Sequence, residues 1–381
     1  MNAIRICLLI CAAALAGALG GCAEAPQKKE AARELVFPPP PDPARFVFER
    51  SLYTSADVTA KDSNSLLRQM LTGEGEGGGE GLAKPYGVAA RDGRIYVADS
   101  VGASVKVFDV PGQKFFTIGT DDQGGLGLPL GLDVDAQHNL YVVDAASKYV
   151  KVFDVKGKFL RQLGGPKMLQ RPTGVGVTDS GERVYVVDTG GVQRREEHRV
   201  RVFNGLTGTH LFDFGKRGSE NGEFNLARDV AVAPDGRVYV VDTGNFRIQV
   251  FDRDGKFLKV FGGVGRQPGN FARPREIAID REGRVYVSDA AFGNLQIFDA
   301  EGGLLLHIGE RSERDQPARY MLPSGIAVDR DGRIYMADEF FRRVDVFRPA
   351  GLKPSEGFVA GSAPAVATPP AAATPPGAKP R

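Results

Sequence analysis

The sequence predicts an all-β fold, a six-bladed β-propeller of four-stranded antiparallel blades whose ring is closed by an N-terminal strand. Three observations lead there. The stretch 227–262, ARDVAVAPDGRVYVVDTGNFRIQVFDRDGKFLKVFG, reads as four short strands separated by turn sequences. Its second strand closes on Tyr-x-x-Asp, and that pattern recurs as Tyr96/Asp99, Tyr141/Asp144, Tyr185/Asp188, Tyr239/Asp242, Tyr286/Asp289 and Tyr335/Asp338. The aspartates fall 45, 44, 54, 47 and 49 residues apart, the span of one four-stranded blade.

Within the clearest unit, Val230-Ala231-Val232 is a short apolar strand, and Pro234-Asp235-Gly236 turns the chain into Arg237 to Val241. Asp242-Thr243-Gly244-Asn245 turns it again into a third strand ending at Phe251. Asp252-Arg253-Asp254-Gly255 makes the last hairpin, into Phe257 to Phe261. Both faces of this sheet are apolar, so a blade is stable only when packed between copies of itself. Every unit has a third strand ending in phenylalanine: Phe108, Phe153, Phe203, Phe251, Phe298 and Phe347. A fourth strand ending in glycine follows in units one to five but not in unit six, where the sequence breaks at Arg348-Pro349-Ala350-Gly351. The alternating segment 45–53, RFVFERSLY, is predicted to supply the missing strand and remove the open sheet edge. Residues 63–71 read as a short helix ahead of the loop GEGEGGGEG, and the third unit carries an insertion at 190–199, GGVQRREEHR.

The flanks differ in kind. Arg5 and the apolar run 6–19 have the form of an export signal too short to span a bilayer, and Leu19-Gly20-Gly21-Cys22 follows. This resembles the lipobox of bacterial lipoproteins, which implies lipid attachment at Cys22 and removal of residues 1–21. In that pattern Ala23 directs the protein to the outer membrane of a Gram-negative envelope. Residues 22–44, with Pro38-Pro39-Pro40-Pro41, read as a stiff tether, and 351–381 as a disordered Pro/Ala/Thr-rich tail. The propeller is expected to occupy 45–350 as a monomeric domain.

All three cysteines, Cys7, Cys11 and Cys22, lie in the signal or at the lipid site. The folded part therefore holds no disulfide, thiolate zinc site, iron–sulfur cluster or covalent haem, and its stability rests on burial. With 49 basic and 47 acidic residues the chain lacks the field that gathers nucleic acid.

The run 242–251, DTGNFRIQVF, resembles the signature of NHL-repeat β-propellers, and the six units together cover nearly all of residues 80–350. Units one, two and six are looser and lack Asn-x-Arg. Members of that family include partner-binding scaffolds, RNA binders and metal-dependent lyases and lactonases, so the resemblance implies a ring with a central channel rather than one activity.

In such a ring the first strands start, and the second strands end, on one face. The lead pairs of the first strands are Tyr86-Gly87, Leu130-Gly131, Thr173-Gly174, Arg228-Asp229, Arg275-Glu276 and Ser324-Gly325. Units four and five thus put Arg228-Asp229 and Arg275-Glu276 where the others have a residue followed by glycine. Read for function, these residues recognise a carboxylate, a sugar or a partner's side chain. The plainer reading, which the sequence favours, is a solvated network in which they pair with one another and with Asp242 and Asp289. The Tyr-x-x-Asp aspartates recur in every unit and read as structural, accepting hydrogen bonds from turn amides. Asp252-x-Asp254-Gly255 and Asp329-x-Asp331-Gly332 read as hairpin turns, since the other ligands of a calcium loop are missing.

None of the four histidines falls at a channel position, which removes the histidine-liganded metal of the lyase-type relatives. A calcium site drawing on Asp229 and Glu276 is the remaining metal reading, and no cofactor is expected. The insertion with Arg194 and Arg195 extends from the same face, where it reads either as a mobile charged loop, the plainer reading, or as a docking arm. The sequence thus points to a lipid-anchored envelope propeller that binds an envelope protein or ligand without catalysis. A metal-dependent lactonase or lyase at the channel mouth is the alternative.

Overall fold

The computed structural model describes residues 34–59, 79–190 and 197–359. The chain divides into units Met1–Leu35 and Val36–Arg381, and the ring belongs to the second. Cys22, the 63–71 helix, Arg194 and Arg195 lie outside the described residues.

Five blades are four-stranded antiparallel sheets in simple meander order. Blade one, for example, runs Pro85–Arg91, Arg94–Asp99, Ser104–Asp109 and Lys114–Ile118. The innermost strands contact one another in sequence around the channel, and Pro323–Val328 of blade six returns to Pro85–Arg91 of blade one. Because both faces of each sheet are apolar, the core is a set of seams between blades. Six apolar clusters are present among the described residues, one at each blade junction. The six tyrosines of Tyr-x-x-Asp are buried in these seams, as are the six phenylalanines that end the third strands.

Each Tyr-x-x-Asp carboxylate ties the loop leading into its own blade. Asp99 accepts the amides of Ala83 and Lys84 at 2.6 and 3.0 Å, and Asp338 those of Met321 and Leu322 at 2.9 and 3.1 Å. In blade four, Asp242 also holds Asn245 and Arg247, each at 2.8 Å, while Arg247 donates to the carbonyls of Glu220 and Glu223. Asn-x-Arg is therefore a clamp between a turn and the preceding loop. Asp252 Oδ1 accepts the amides of Asp254 and Lys256 at 2.9 Å, as a hairpin turn requires.

The strand Phe46–Leu52 pairs antiparallel with Arg343–Pro349, so the N-terminal segment completes blade six. Phe48 packs edge-on against Phe347 with ring centroids 5.8 Å apart, and Arg333 reaches Glu49 at 2.7 Å. Two segments beyond the boundaries read from the sequence also pack on the ring. Val36–Phe37, placed in the tether, is a fifth, outermost strand of blade six, with Phe37 against Phe347. Residues 351–359, placed in the tail, continue the body: Val359 is buried in the seam between blades six and one, and the Phe358 amide donates to Asp331. Both escape a sequence reading because single apolar residues in Pro- and Gly-rich text carry no periodicity. Among the described residues no helix is long and apolar enough to cross a membrane.

The channel mouth as candidate functional site

The second residue of each lead pair faces the neighbouring blade at close range. A Cβ on Gly87 would fall 2.3 Å from the Leu130 carbonyl, one on Gly131 2.7 Å from that of Thr173, and one on Gly325 2.5 Å from that of Tyr86. Glycine is what lets these strands approach. Blades four and five break the pattern with Asp229 and Glu276, and blade three accommodates the change: a Cβ on Gly174 would meet Asp229 Oδ1 at 2.3 Å and its Cα at 2.5 Å.

An innermost strand presents unpaired backbone groups to the channel, and two carboxylates satisfy some of them across blade junctions. Asp229 Oδ2 accepts the Ile277 amide of blade five at 3.0 Å. Asp133 repeats the device two residues deeper in blade two, accepting the Val177 amide of blade three on Oδ2 and the Val134 amide on Oδ1, both at 2.7 Å. Burial pushes both acids up to about 7 against the pull of these amides. Asp133 is not among the site residues read from the sequence. Its signal was present, since the equivalent positions are Ala89, Gly176, Ala231, Ala278 and Ala327.

Glu276 differs from both. It is 7% exposed and lines a channel cavity of about 100 Å³ with Asp133 and Asp229, yet no hydrogen bond or ion pair reaches its carboxylate among the described residues. Its pKa is driven well above the usual carboxylate range, first by burial and then by the charge of Asp229, with Arg275 and Arg228 opposing.

Above this cavity the two arginines meet an aromatic ring. Tyr86 of blade one reaches across the mouth, where its hydroxyl accepts a hydrogen bond from Arg228 of blade four. The guanidinium carbons of Arg275 and Arg228 lie 5.1 and 5.9 Å from its ring centroid. Arg275, 5% exposed, is paired with Glu339 of blade six at 2.6 Å, and Lys84 approaches the other oxygen of Glu339 at 3.6 Å. Arg228 has no carboxylate partner among the described residues.

Arg228, Asp229, Arg275 and Glu276 are thus gathered at one mouth. Their partners are Tyr86, Ile277 and Glu339; Asp242 and Asp289 are engaged with their own turns and loops. Glu339 was not singled out from the sequence either. It follows Asp338 where the other units have Ser100, Ala145, Thr189, Thr243 and Ala290. None of the four histidines lines the channel: His138 approaches Asp92 at 3.2 Å, His198 accepts the Leu226 amide, His210 meets Asp213 at 2.7 Å, and His307 lies on an outer strand. Among the described residues no group of three or more histidine, cysteine, aspartate or glutamate side chains is placed to hold a metal ion.

Comparison with known proteins agrees with this architecture. Residues 224–251 match the profile of the NHL repeat. Human NHL repeat-containing protein 3 is 36% identical over 90 residues, 23% of this chain and 24% of that protein, so the match spans about a quarter of the relative's length. A structural-genomics protein from Bacteroides thetaiotaomicron superposes with a TM-score of 0.57 at 16% identity, over 80% of this chain and 76% of the other. A gluconolactonase of Xanthomonas campestris does so with a TM-score of 0.53 at 17% identity, over 70% and 86%. At these identities the likeness to solved structures is one of fold. The profile match and the NHL-repeat relatives show an NHL repeat in blade four, and the six closed blades show a six-bladed β-propeller.

Proposed function

We propose that the protein is a lipid-anchored binding module of the bacterial cell envelope, which engages an envelope protein through the channel-mouth face and catalyses no reaction. The observation that carries this reading is convergence. Arg228, Asp229, Arg275, Glu276 and Glu339, which depart from the sixfold pattern, come from blades four, five and six and gather with Tyr86 of blade one at one mouth. A structural role common to all blades would recur in all blades. The loops on the same face add exposed apolar side chains, among them Val101, Leu226, Val264 and Phe340, with Val264 71% and Val101 69% exposed. Apolar contacts around a polar centre suit a protein partner. The anchoring part of the proposal rests on residues 5–22.

The alternative, a metal-dependent lactonase or lyase, draws on Asp133, Asp229 and Glu276 in the channel. Against it, Asp133 and Asp229 spend oxygens on backbone amides, which leaves Glu276 as the one acid without such a duty. The test is affinity capture of the full chain from solubilised membranes, comparing the native protein with Arg275→Glu and measuring metal content alongside. A partner recovered with the native chain and lost with the variant supports binding at the mouth. Equal recovery from both, or a stoichiometric ion with no partner, overturns it.

A further inference from the structure

Two opposite charges at the mouth are left without ionic partners among the described residues. Glu276 is more than nine-tenths buried, lines the cavity and accepts no hydrogen bond. Arg228, half-buried on the adjacent blade, spends its guanidinium on the neutral hydroxyl of Tyr86 although it has five donors to offer. The two belong to the lead pairs of adjacent, contacting inner strands, yet they form no ion pair. The other charges around them are occupied: Arg275 by Glu339, Asp229 by the Ile277 amide and Asp133 by two amides. A buried carboxylate without a partner is costly, and the usual resolution is a matching cation or a proton. A cation alone would answer Glu276 but leave Arg228 unmatched, and an anion alone would do the reverse.

We propose that the mouth binds a small zwitterion, an amino acid whose ammonium group sits on Glu276 and whose carboxylate replaces the Tyr86 hydroxyl on Arg228. The cavity limits the end of the ligand that enters beside Glu276: at about 100 Å³ it holds roughly three waters' volume, enough for an ammonium group on a short carbon chain, while Arg228 stands outside its lining and meets the other end. A bidentate guanidinium–carboxylate contact is stronger than the bond to a phenol that it displaces. The inference rests on the reading of the mouth as a binding site and names what that site takes.

The test is calorimetric titration of the full chain at neutral pH with glycine, β-alanine and γ-aminobutyrate, with ethylammonium and propionate as half-ligands. At least one zwitterion should bind, and the preferred chain length reports the separation of the two charges. Each half-ligand should bind at least about tenfold more weakly. Glu276→Gln and Arg228→Gln should each weaken the zwitterion by a similar factor while keeping a cooperative melt. Absence of binding by all three zwitterions, or undiminished binding to both variants, overturns the proposal. If no zwitterion binds while Arg228→Gln still loses a captured partner, the zwitterion proposal fails and the mouth remains a docking surface. If neither zwitterion nor partner depends on these residues, both fail.

Discussion

Asp229 Oδ2 accepts the main-chain N–H of Ile277 at 3.0 Å, so an acid that departs from the sixfold pattern also ties blade four to blade five. The same carboxylate occupies space that blade three vacates by having glycine at 174. Gly174→Ala would drive a methyl group into the Asp229 backbone and is expected to destabilise the ring by about 1–3 kcal/mol. Asp229→Ala, which orphans the Ile277 amide, should cost about 1–3 kcal/mol. Denaturant midpoints read both. An unchanged midpoint in Gly174→Ala would mean that the inner strands part more readily than this packing allows.

The channel acids set a pH dependence whose sign is fixed by their direction of shift. Asp133 and Asp229 are raised to about 7 in the folded chain from the ordinary value of 3.8, so between those values the folded state binds more protons than the unfolded one. Their contribution is fully present below about pH 4 and is lost as pH rises through about 7, by up to about 1.4 kcal/mol per pH unit for each fully shifted group. Asp144, shifted down, acts at more acid pH, whereas Asp188, Asp329, Asp338 and Glu276, raised by burial, act in the same direction as the channel acids. The melting temperature should therefore fall from about pH 5 to about pH 8, and Asp133→Asn and Asp229→Asn should each flatten the slope. A native profile that rises across that range would contradict the burial assigned to these acids.

Closure depends on the N-terminal strand. Removing residues 45–53 takes Phe46–Leu52 from Arg343–Pro349 and leaves Arg333, among the most buried arginines, without Glu49. Arg333 keeps Asp331, so the loss of Glu49 costs less than the ~3–5 kcal/mol of an orphaned buried charge, and the main cost is the exposed edge of Arg343–Pro349. The deletion should abolish a single cooperative melt. A truncated chain that melts as the native one does would show that the ring does not need this strand.

Anchoring is tested at Cys22. Cys22→Ser should abolish incorporation of labelled fatty acid and move the chain from the membrane to the soluble fraction. Membrane retention without label would mean that another element holds the protein.

Much of this architecture was legible because a closed ring repeats its demands. The same Tyr is buried in the same seam, and the same Asp meets the same loop amides, six times over, so the text repeats too. The site was legible only in part. Arg228-Asp229 and Arg275-Glu276 stand out against glycine, and Asp133 and Glu339 stand out equally against small or uncharged residues once the units are aligned by position. What no column shows is that Tyr86 reaches across the channel to blade four, or that Arg275 pairs with Glu339 on the next blade. Those contacts come from ring closure, which brings together residues 142 apart in the chain. The packing of 351–359 was likewise invisible, because one buried valine has no period to announce it.

The claim that the mouth face is where a partner docks is tested most directly by site-specific photocrosslinking in intact cells. A photoreactive residue placed at Phe340 or Val101, both exposed on the mouth face, is compared with one at Arg281, exposed on the opposite face. The account predicts a discrete adduct with an envelope protein from the first two positions, lost when Arg275→Glu is added, and none from Arg281. An adduct from Arg281 alone, or adducts at Phe340 and Val101 that persist with Arg275→Glu, would contradict it.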